Sequence, residues 1–151
     1  ICNEITKDYP NTRGAQLAFN TISQITNKTL RLTSEQTNDV NLPNRVLVNY
    51  SNITKLFFKI VKTDYFAHSK LTAKTYSEKL IEKLNALPEV LKFTQNLPND
   101  KDFNAHSVEI KVPVLEPGYY ILLASTDEKF SYTNAINSFQ TYIVTDIIWV
   151  W

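Results

Sequence analysis

The feature that most constrains this chain is a series of short runs in which every second residue is apolar. In HSVEIKV, residues 106–112, Val108, Ile110 and Val112 share one face. Runs of this length at a period of two, bounded by turn residues, are typical of antiparallel strands. Because no β-α-β alternation accompanies them, they predict a mainly β fold, an antiparallel β-sandwich of about seven strands.

Six further segments show strand-like patterns separated by polar or proline-containing turns. They are residues 30–32, 46–50, 54–62, 90–93, 119–124 and 138–146. The segment 119–124 is apolar on both faces, which is typical of a strand buried on both sides. We therefore expect this strand to be central, with the second sheet on one side and a helix or a neighbouring domain on the other.

Two helical segments are predicted before the first strand. Residues 12–26 carry a single apolar stripe at steps of three and four, and Asn11 or Thr12 is placed to cap the first turn. Residues 1–8 are expected to be the end of an earlier helix, separated from the second helix by Tyr9 and Pro10.

One helix is predicted to interrupt the strands, within a helical insertion at about residues 69–88. Thr75-Tyr76-Ser77-Glu78 fits a capping box, and Pro88 ends the apolar stripe that follows. We interpret this helix as a cover for an open sheet edge; a lid over a binding site is the alternative.

The expected organisation is one sandwich with short additions at both ends. A length of 151 residues fits one domain. Residues 1–28 form a helical N-terminal segment, residues 29–146 form the sandwich, and residues 147–151 begin a following domain or form a C-terminal strand. Since the chain begins with Ile1, we expect it to be a fragment or a trimmed mature chain.

The segment LEPGYY, residues 115–120, predicts a structural turn formed by Leu115, Pro117, Gly118 and Tyr120. Proline sets the backbone of the turn, and glycine is expected at a positive φ that a side chain would penalise. A tyrosine just after such a turn can return its hydroxyl to the turn backbone, as in the tyrosine corner of immunoglobulin-like sandwiches. The alternative is that Tyr119 and Tyr120 are a ligand-binding aromatic pair.

Residues capable of catalysis or metal binding are few and widely spaced. His68 and His106 have no nearby cysteine for a zinc site, and no nucleophile or carboxylate is placed to form a triad with His106. Cys2, the single cysteine, is expected to pack in a helix. We therefore expect no enzyme activity, no cofactor and no metal.

Calcium, nucleic acid and a membrane are also disfavoured as partners. The segment from Asn99 to Asp102 resembles part of a calcium loop, but it lacks the glycine and the closing glutamate of an EF-hand. The net charge of +1 gives no support for nucleic-acid binding. No apolar run is long enough for a membrane span.

Several segments together resemble a known family. A helix after YPNTRGAQLAF, then LRLTSEQ, LPNRVLVNYSNITKLFFKIVK and DFNAHSVEIKVPVLEPGYYILLAS, resembles a macroglobulin (MG) domain of the alpha-2-macroglobulin-like proteins of Bacteroidetes-type bacteria. The resemblance covers residues 9–63 and 92–146. The final IIWVW, residues 147–151, resembles the first strand of the next domain in such an array.

The resemblance implies a noncatalytic structural domain. Full-length members of the family trap or inhibit proteases, so proteases and neighbouring domains of the same long chain are the implied partners. The implied location is the cell envelope, periplasmic or surface-exposed. Cys2 is followed by Asn3-Glu4, so the family's Cys-Gly-Glu-Gln thioester motif is absent from this sequence.

The alternative function is a carbohydrate-binding or adhesin-type β-sandwich module. This function requires aromatic side chains exposed on one face. The two tryptophans, Trp149 and Trp151, lie at the end of the chain. The candidate side chains are Tyr50, Tyr65, Phe66, Tyr119 and Tyr132.

Overall fold

The structure, a computed structural model, describes residues 1–35, 37–40, 42–75, 77–133 and 135–146. The predicted final segment, residues 147–151, therefore lies outside the described residues. The helices are α1 (Cys2–Asp8), α2 (Arg13–Thr26), α3 (Tyr65–Lys74) and α4 (Ser77–Asn85). The strands are β1 (Thr29–Thr33), β2 (Thr37–Asp39), β3 (Arg45–Ser51), β4 (Lys55–Thr63), β5 (Glu89–Asn96), β6 (Ala105–Lys111), β7 (Gly118–Ser125) and β8 (Asn137–Thr145).

The strands form two sheets. The first has three strands in the order β1-β3-β6, and the second has five in the order β2-β8-β7-β4-β5. The prediction of a mainly β, sandwich-like fold is confirmed, although the described residues contain eight strands instead of about seven. The additional strand is the short β2, which pairs parallel with β8, whereas the remaining pairs are antiparallel.

The principal core lies between the two sheets. Strand β7 is the central strand of the larger sheet, and its Tyr120, Leu122 and Ala124 point into this core. They meet Val46 and Val48 from β3 of the smaller sheet. Alternation at a period of two produces this face, because only every second side chain of a strand points the same way.

A second, smaller core lies on the other face of the five-stranded sheet. Here Ile121 and Leu123 of β7 pack against Leu80, Ile81 and Leu84 of α4. The centre of the sheet is thus covered on both faces, as expected for a strand that is apolar on both sides. The helical insertion covers a face of the sheet, and the interpretation as a cover for a sheet edge is wrong.

The insertion contains two helices, α3 and α4, where the sequence predicted one. Asp64 caps α3: its carboxylate accepts a hydrogen bond of 2.8 Å from the backbone N–H of Ala67. Thr75 ends α3 instead of beginning α4, and its hydroxyl accepts a hydrogen bond from Lys83 Nζ at 3.0 Å. Part of the predicted capping box, Tyr76, lies outside the described residues.

A half-buried lysine fixes the end of α4 to the sheet. Lys59 of β4 donates hydrogen bonds to the backbone carbonyl of Asn85 at 2.7 Å and to its side-chain oxygen at 3.0 Å. Its Nζ also lies 3.4 Å from a carboxylate oxygen of Glu89. A cation is favourable at the carbonyl end of a helix, so Lys59 helps to hold α4 over the sheet.

The N-terminal helices form a hairpin beside the sandwich. Thr12 caps α2, accepting a hydrogen bond from the Ala15 N–H at 3.2 Å, as the sequence predicted. At the other end of α2, Asn52 of the β3–β4 turn donates to the carbonyls of Ile25 and Asn27. This contact links the hairpin to the sandwich. None of the helices in the described part of the chain has the length and apolarity needed to cross a bilayer.

The turn before β7 places the Tyr120 ring over the backbone. The Tyr120 hydroxyl donates a hydrogen bond of 2.9 Å to the carbonyl of Glu116. Gly118 does not have a positive φ, so that part of the prediction is wrong. A Cβ at Gly118 would lie 3.0 Å from the Tyr120 ring and hydroxyl, so this position has little room for a side chain.

Candidate functional site

A cleft lined by aromatic and polar side chains lies where α3 crosses the outer face of the five-stranded sheet, and we call it the aromatic cleft. Its volume is about 370 Å³. Helix α3 contributes Tyr65, His68, Ser69 and Thr72, which are spaced at i, i+3, i+4 and i+7 and therefore form one stripe of the helix. The sheet side is formed by Tyr119 of β7 and by Thr141 and Ile143 of β8.

The rings around this cleft remain accessible to solvent. Tyr65 is 63% exposed and Phe66 is 81% exposed. The Tyr65 ring lies 5.6 Å from the Phe66 ring and 6.3 Å from the Tyr119 ring, both in edge-to-face arrangements. Because Tyr65 and Phe66 are largely exposed, aromatic surface is accessible to solvent at this cleft.

His68 and Tyr119 are joined by a hydrogen bond at the base of the cleft. The distance between His68 Nδ1 and the Tyr119 hydroxyl is 2.8 Å. The other ring nitrogen, Nε2, is buried and has no hydrogen-bond partner among the described residues. Burial lowers the pKa of His68 below its usual value of 6.5, which favours the uncharged imidazole at neutral pH.

A second depression, which we call the β8 cleft, lies further along the same strand. It has a volume of about 280 Å³. The side-chain oxygen of Asn137 is buried without a hydrogen-bond partner in the described part of the chain. The Asn137 amide N–H groups donate to the carbonyls of Ser131 and Ala135. The lining residues are Ile81, Tyr132, Ala135, Asn137, Ser138 and Phe139.

The five aromatic residues proposed for a binding face separate into three groups. Tyr65 and Tyr119 line the aromatic cleft, and the Phe66 ring contacts Tyr65 beside it. Tyr132 lines the β8 cleft. Tyr50 is instead buried between the sheets, where its hydroxyl donates to the Pro98 carbonyl at 2.6 Å. The tryptophans Trp149 and Trp151 lie outside the described residues.

His106 has a carboxylate partner that the sequence analysis missed. Its Nε2 lies 2.8 Å from a carboxylate oxygen of Asp102, four residues earlier. The backbone N–H of Asn104 and then the His106 ring hold the pKa of Asp102 down at about 2. Asp102 lies in the loop before β6 and His106 lies near the start of that strand, and among the described residues no hydroxyl or thiol group is hydrogen-bonded to either side chain.

Side chains that could bind a metal ion or an anion do not form a site in the described part of the chain. In the described ranges, no three His, Cys, Asp or Glu side chains lie close enough together to hold a metal ion. Cys2 is half-buried in α1. A third depression, beside β5, carries charges of both signs, and two of its ion pairs, Lys59–Glu89 and Lys92–Glu128, each measure 3.4 Å. Those charges neutralise one another.

Comparisons with known proteins identify no family. No family model matches the chain, and no curated protein matches it. Among solved structures, it is similar to a CARDB domain from Pyrococcus furiosus, solved in complex with di-metal ions. The identity is 11% and the TM-score 0.42, over 78% of this chain and 92% of that one. It is also similar to the soluble domain of PmoD from Methylocystis sp., with 14% identity and a TM-score of 0.34 over 78% and 90% of the two chains.

These findings overturn the resemblance to the macroglobulin family. The two solved structures named above are a CARDB domain and the PmoD soluble domain, not macroglobulin domains, and no family model or curated protein supports the resemblance. The turn before β7 returns a tyrosine hydroxyl to the backbone, as in the tyrosine corner of other β-sandwiches, so this motif is not specific to the macroglobulin family. The protease-trapping role and the cell-envelope location lose the resemblance that implied them.

Proposed function

We propose that this chain is a noncatalytic β-sandwich module that binds carbohydrate in the aromatic cleft. The observation that carries the proposal is the clustering of Tyr65, Phe66 and Tyr119 beside His68. Sugar rings present apolar C–H faces that stack on aromatic rings, and hydroxyl groups that bond to polar side chains. The aromatic cleft offers both kinds of surface in one place.

Polar groups in the cleft complement the rings. Ser69, Thr72 and Thr141 bring hydroxyl groups to its wall, and His68 brings a buried, unpaired ring nitrogen. A few placed polar groups within a largely apolar lining are typical of small-molecule sites, where they orient the ligand.

Glycan binding by the purified protein tests the proposal. Tyr65→Ala is expected to weaken binding about tenfold or more, a loss of about 1.4 kcal/mol, because it removes a stacking surface. The matched control is Tyr9→Ala, since Tyr9 is 62% exposed and lies in the N-terminal hairpin, away from the cleft. Equal losses in the two variants, or no binding by the unmodified protein across a glycan array, would reject the proposal.

A second candidate is a structural module that packs on another domain. Phe19 and Ile25 of α2 are exposed, although they lie on the same side of the helix as the buried Ala15 and Ala18. Exposed apolar residues that extend a packed stripe are a surface on which a partner domain can dock. Loss of association with such a domain in Phe19→Ser, with glycan binding unchanged, would support this candidate.

A further inference from the structure

The two clefts lie along one strand face. The outward-facing residues of β8 are Asn137, Phe139, Thr141 and Ile143, opposite Ser125, Leu123, Ile121 and Tyr119 of β7. Asn137 and Phe139 line the β8 cleft, and Thr141 and Ile143 line the aromatic cleft. Phe139 and Thr141 are successive residues on this face, so the two depressions adjoin.

Their combined length exceeds that of a single sugar. From Asn137 to Ile143 the strand advances six residues, about 20 Å at the usual rise of an extended chain. Helix α3 borders one half through His68, and helix α4 borders the other half through Ile81. A ligand that contacts both clefts must therefore be extended along β8.

The lining of both clefts is uncharged. Among the described residues that line them there is no Asp, Glu, Lys or Arg. This contrasts with the charged depression beside β5, which is lined by three lysines and three acidic residues. Each of the two uncharged clefts also holds one buried side-chain atom without a partner in the described part of the chain, His68 Nε2 or Asn137 Oδ1.

We infer that the ligand is an uncharged oligosaccharide that lies along β8 and occupies both clefts, with the β8 cleft as a second sugar subsite. This inference rests on the proposed function of the aromatic cleft. The aromatic rings Tyr65 and Tyr119 serve one end of the chain, and Phe139 serves the other. A charged polysaccharide is disfavoured, because an ionised group in an uncharged cleft loses hydration without gaining a partner.

Calorimetric titration with length series of soluble uncharged oligomers tests the inference. The probes are β-1,4-linked glucose, mannose, xylose and N-acetylglucosamine oligomers of two to six units, with oligogalacturonates as the charged comparison. For a series that binds, affinity is expected to increase about tenfold or more from the dimer to the hexamer, since the longer chain reaches the second cleft. The oligogalacturonates are expected to bind more weakly than uncharged chains of equal length.

Variants at the β8 cleft test whether the higher affinity of the longer oligomers arises from that cleft. Ala135→Trp fills the second cleft from a loop position, and is expected to reduce hexamer affinity to that of the dimer while dimer affinity is unchanged. Phe139→Leu keeps apolar packing but removes the ring, and is expected to cause a smaller loss of the same kind. Val90→Trp, at an exposed position of β5, is the matched control and should leave the gain intact.

The outcomes separate the two proposals. Binding that depends on Tyr65 but is independent of oligomer length and of Ala135→Trp would overturn the second subsite and leave the proposed function standing. Stronger binding of the oligogalacturonates would overturn the inference of an uncharged ligand. Failure of every series to bind would overturn both proposals.

Discussion

The two faces of the five-stranded sheet are used in different ways. The inner face is closed by the second sheet, and Leu122 and Tyr142 there are almost fully buried. The outer face is covered by α4 over its centre but stays open over β8, where both clefts lie. One sheet thus forms a closed core on one side and carries, on the other, the open clefts in which we propose that a ligand binds.

Two neighbouring tyrosines of β7 show the difference between the two faces. The Tyr120 hydroxyl points inward and bonds to the Glu116 carbonyl, which fixes the turn. The Tyr119 hydroxyl points outward and bonds to His68, which fixes the base of the aromatic cleft. Identical side chains one residue apart therefore have different roles, because adjacent residues of a strand face opposite sides.

The largest expected effect is the loss of a side chain from the inner face. Leu122→Ala is expected to lower the free energy of unfolding by about 2–5 kcal/mol, because the core of a sandwich relaxes little around a cavity. Ile143→Ala, at the open cleft, should cost less because solvent already reaches that site. Urea denaturation measures both, and equal costs would remove the distinction between the faces.

A smaller effect is expected from a methyl group at Gly118. Gly118→Ala should destabilise the fold by about 1 kcal/mol or more, because the new Cβ would meet the buried Tyr120 ring at 3.0 Å. In a Tyr120→Leu background the obstruction is gone, so the same substitution should cost little. A cost that is unchanged in that background would place its cause in the backbone.

Removal of one hydroxyl from each face compares the two tyrosines directly. Tyr120→Phe is expected to lower the free energy of unfolding by about 1 kcal/mol, because the partly buried Glu116 carbonyl loses its donor. Tyr119→Phe should affect stability less but change the titration of the His68 ring, followed by NMR. A larger stability loss for Tyr119→Phe would reverse the assignment of roles.

The smallest expected effects are two changes of stability with pH. The pKa of His68 is lowered in the folded protein, so the unfolded chain binds its proton first as pH falls. The free energy of unfolding should therefore decrease as pH falls below 6.5, until the lower folded pKa is reached. His68→Gln should remove this decrease, and denaturation at pH 7.5 and 5.5 measures it.

Asp102 should act in a separate, more acidic range. Its folded pKa of about 2 lies below the usual 3.8, so its contribution is complete above pH 4 and is lost as pH falls towards 2. Asp102→Asn should therefore reduce the pH dependence of the free energy of unfolding between pH 4 and pH 2. A dependence in that range that is the same in Asp102→Asn and in the unmodified protein would contradict the prediction.

The inner face was predictable from the sequence because burial of alternate strand residues produces an apolar pattern with a period of two. Most strands of the sandwich put apolar residues at alternate positions, as β6 does with Val108 and Ile110, whereas the short β2, with no apolar residue, leaves no such pattern. Helix α2 was predictable for the same reason, with Thr12 marking its start.

The cleft was not predictable, because its stripe of residues faces solvent. Tyr65, His68, Ser69 and Thr72 share one side of α3, but they are polar or aromatic, so an apolar periodicity does not reveal the helix. Asp64 before Tyr65 was the available signal of a helix start. In the sequence, the only sign of the contact between Asp102 and His106 was their separation by four residues.

The short junction between β4 and α3 links the geometry of the cleft to the end of a strand. β4 ends at Thr63, Asp64 caps the helix, and Tyr65 is its first residue. Because Asp64 is the single residue between β4 and α3, the connection cannot accommodate an inserted residue without moving the helix. One added residue would rotate every side chain of α3 by about 100° about the helix axis. A change of length at this junction would therefore remodel the aromatic cleft, whereas a substitution that keeps a capping side chain at position 64 would leave the register of α3 unchanged.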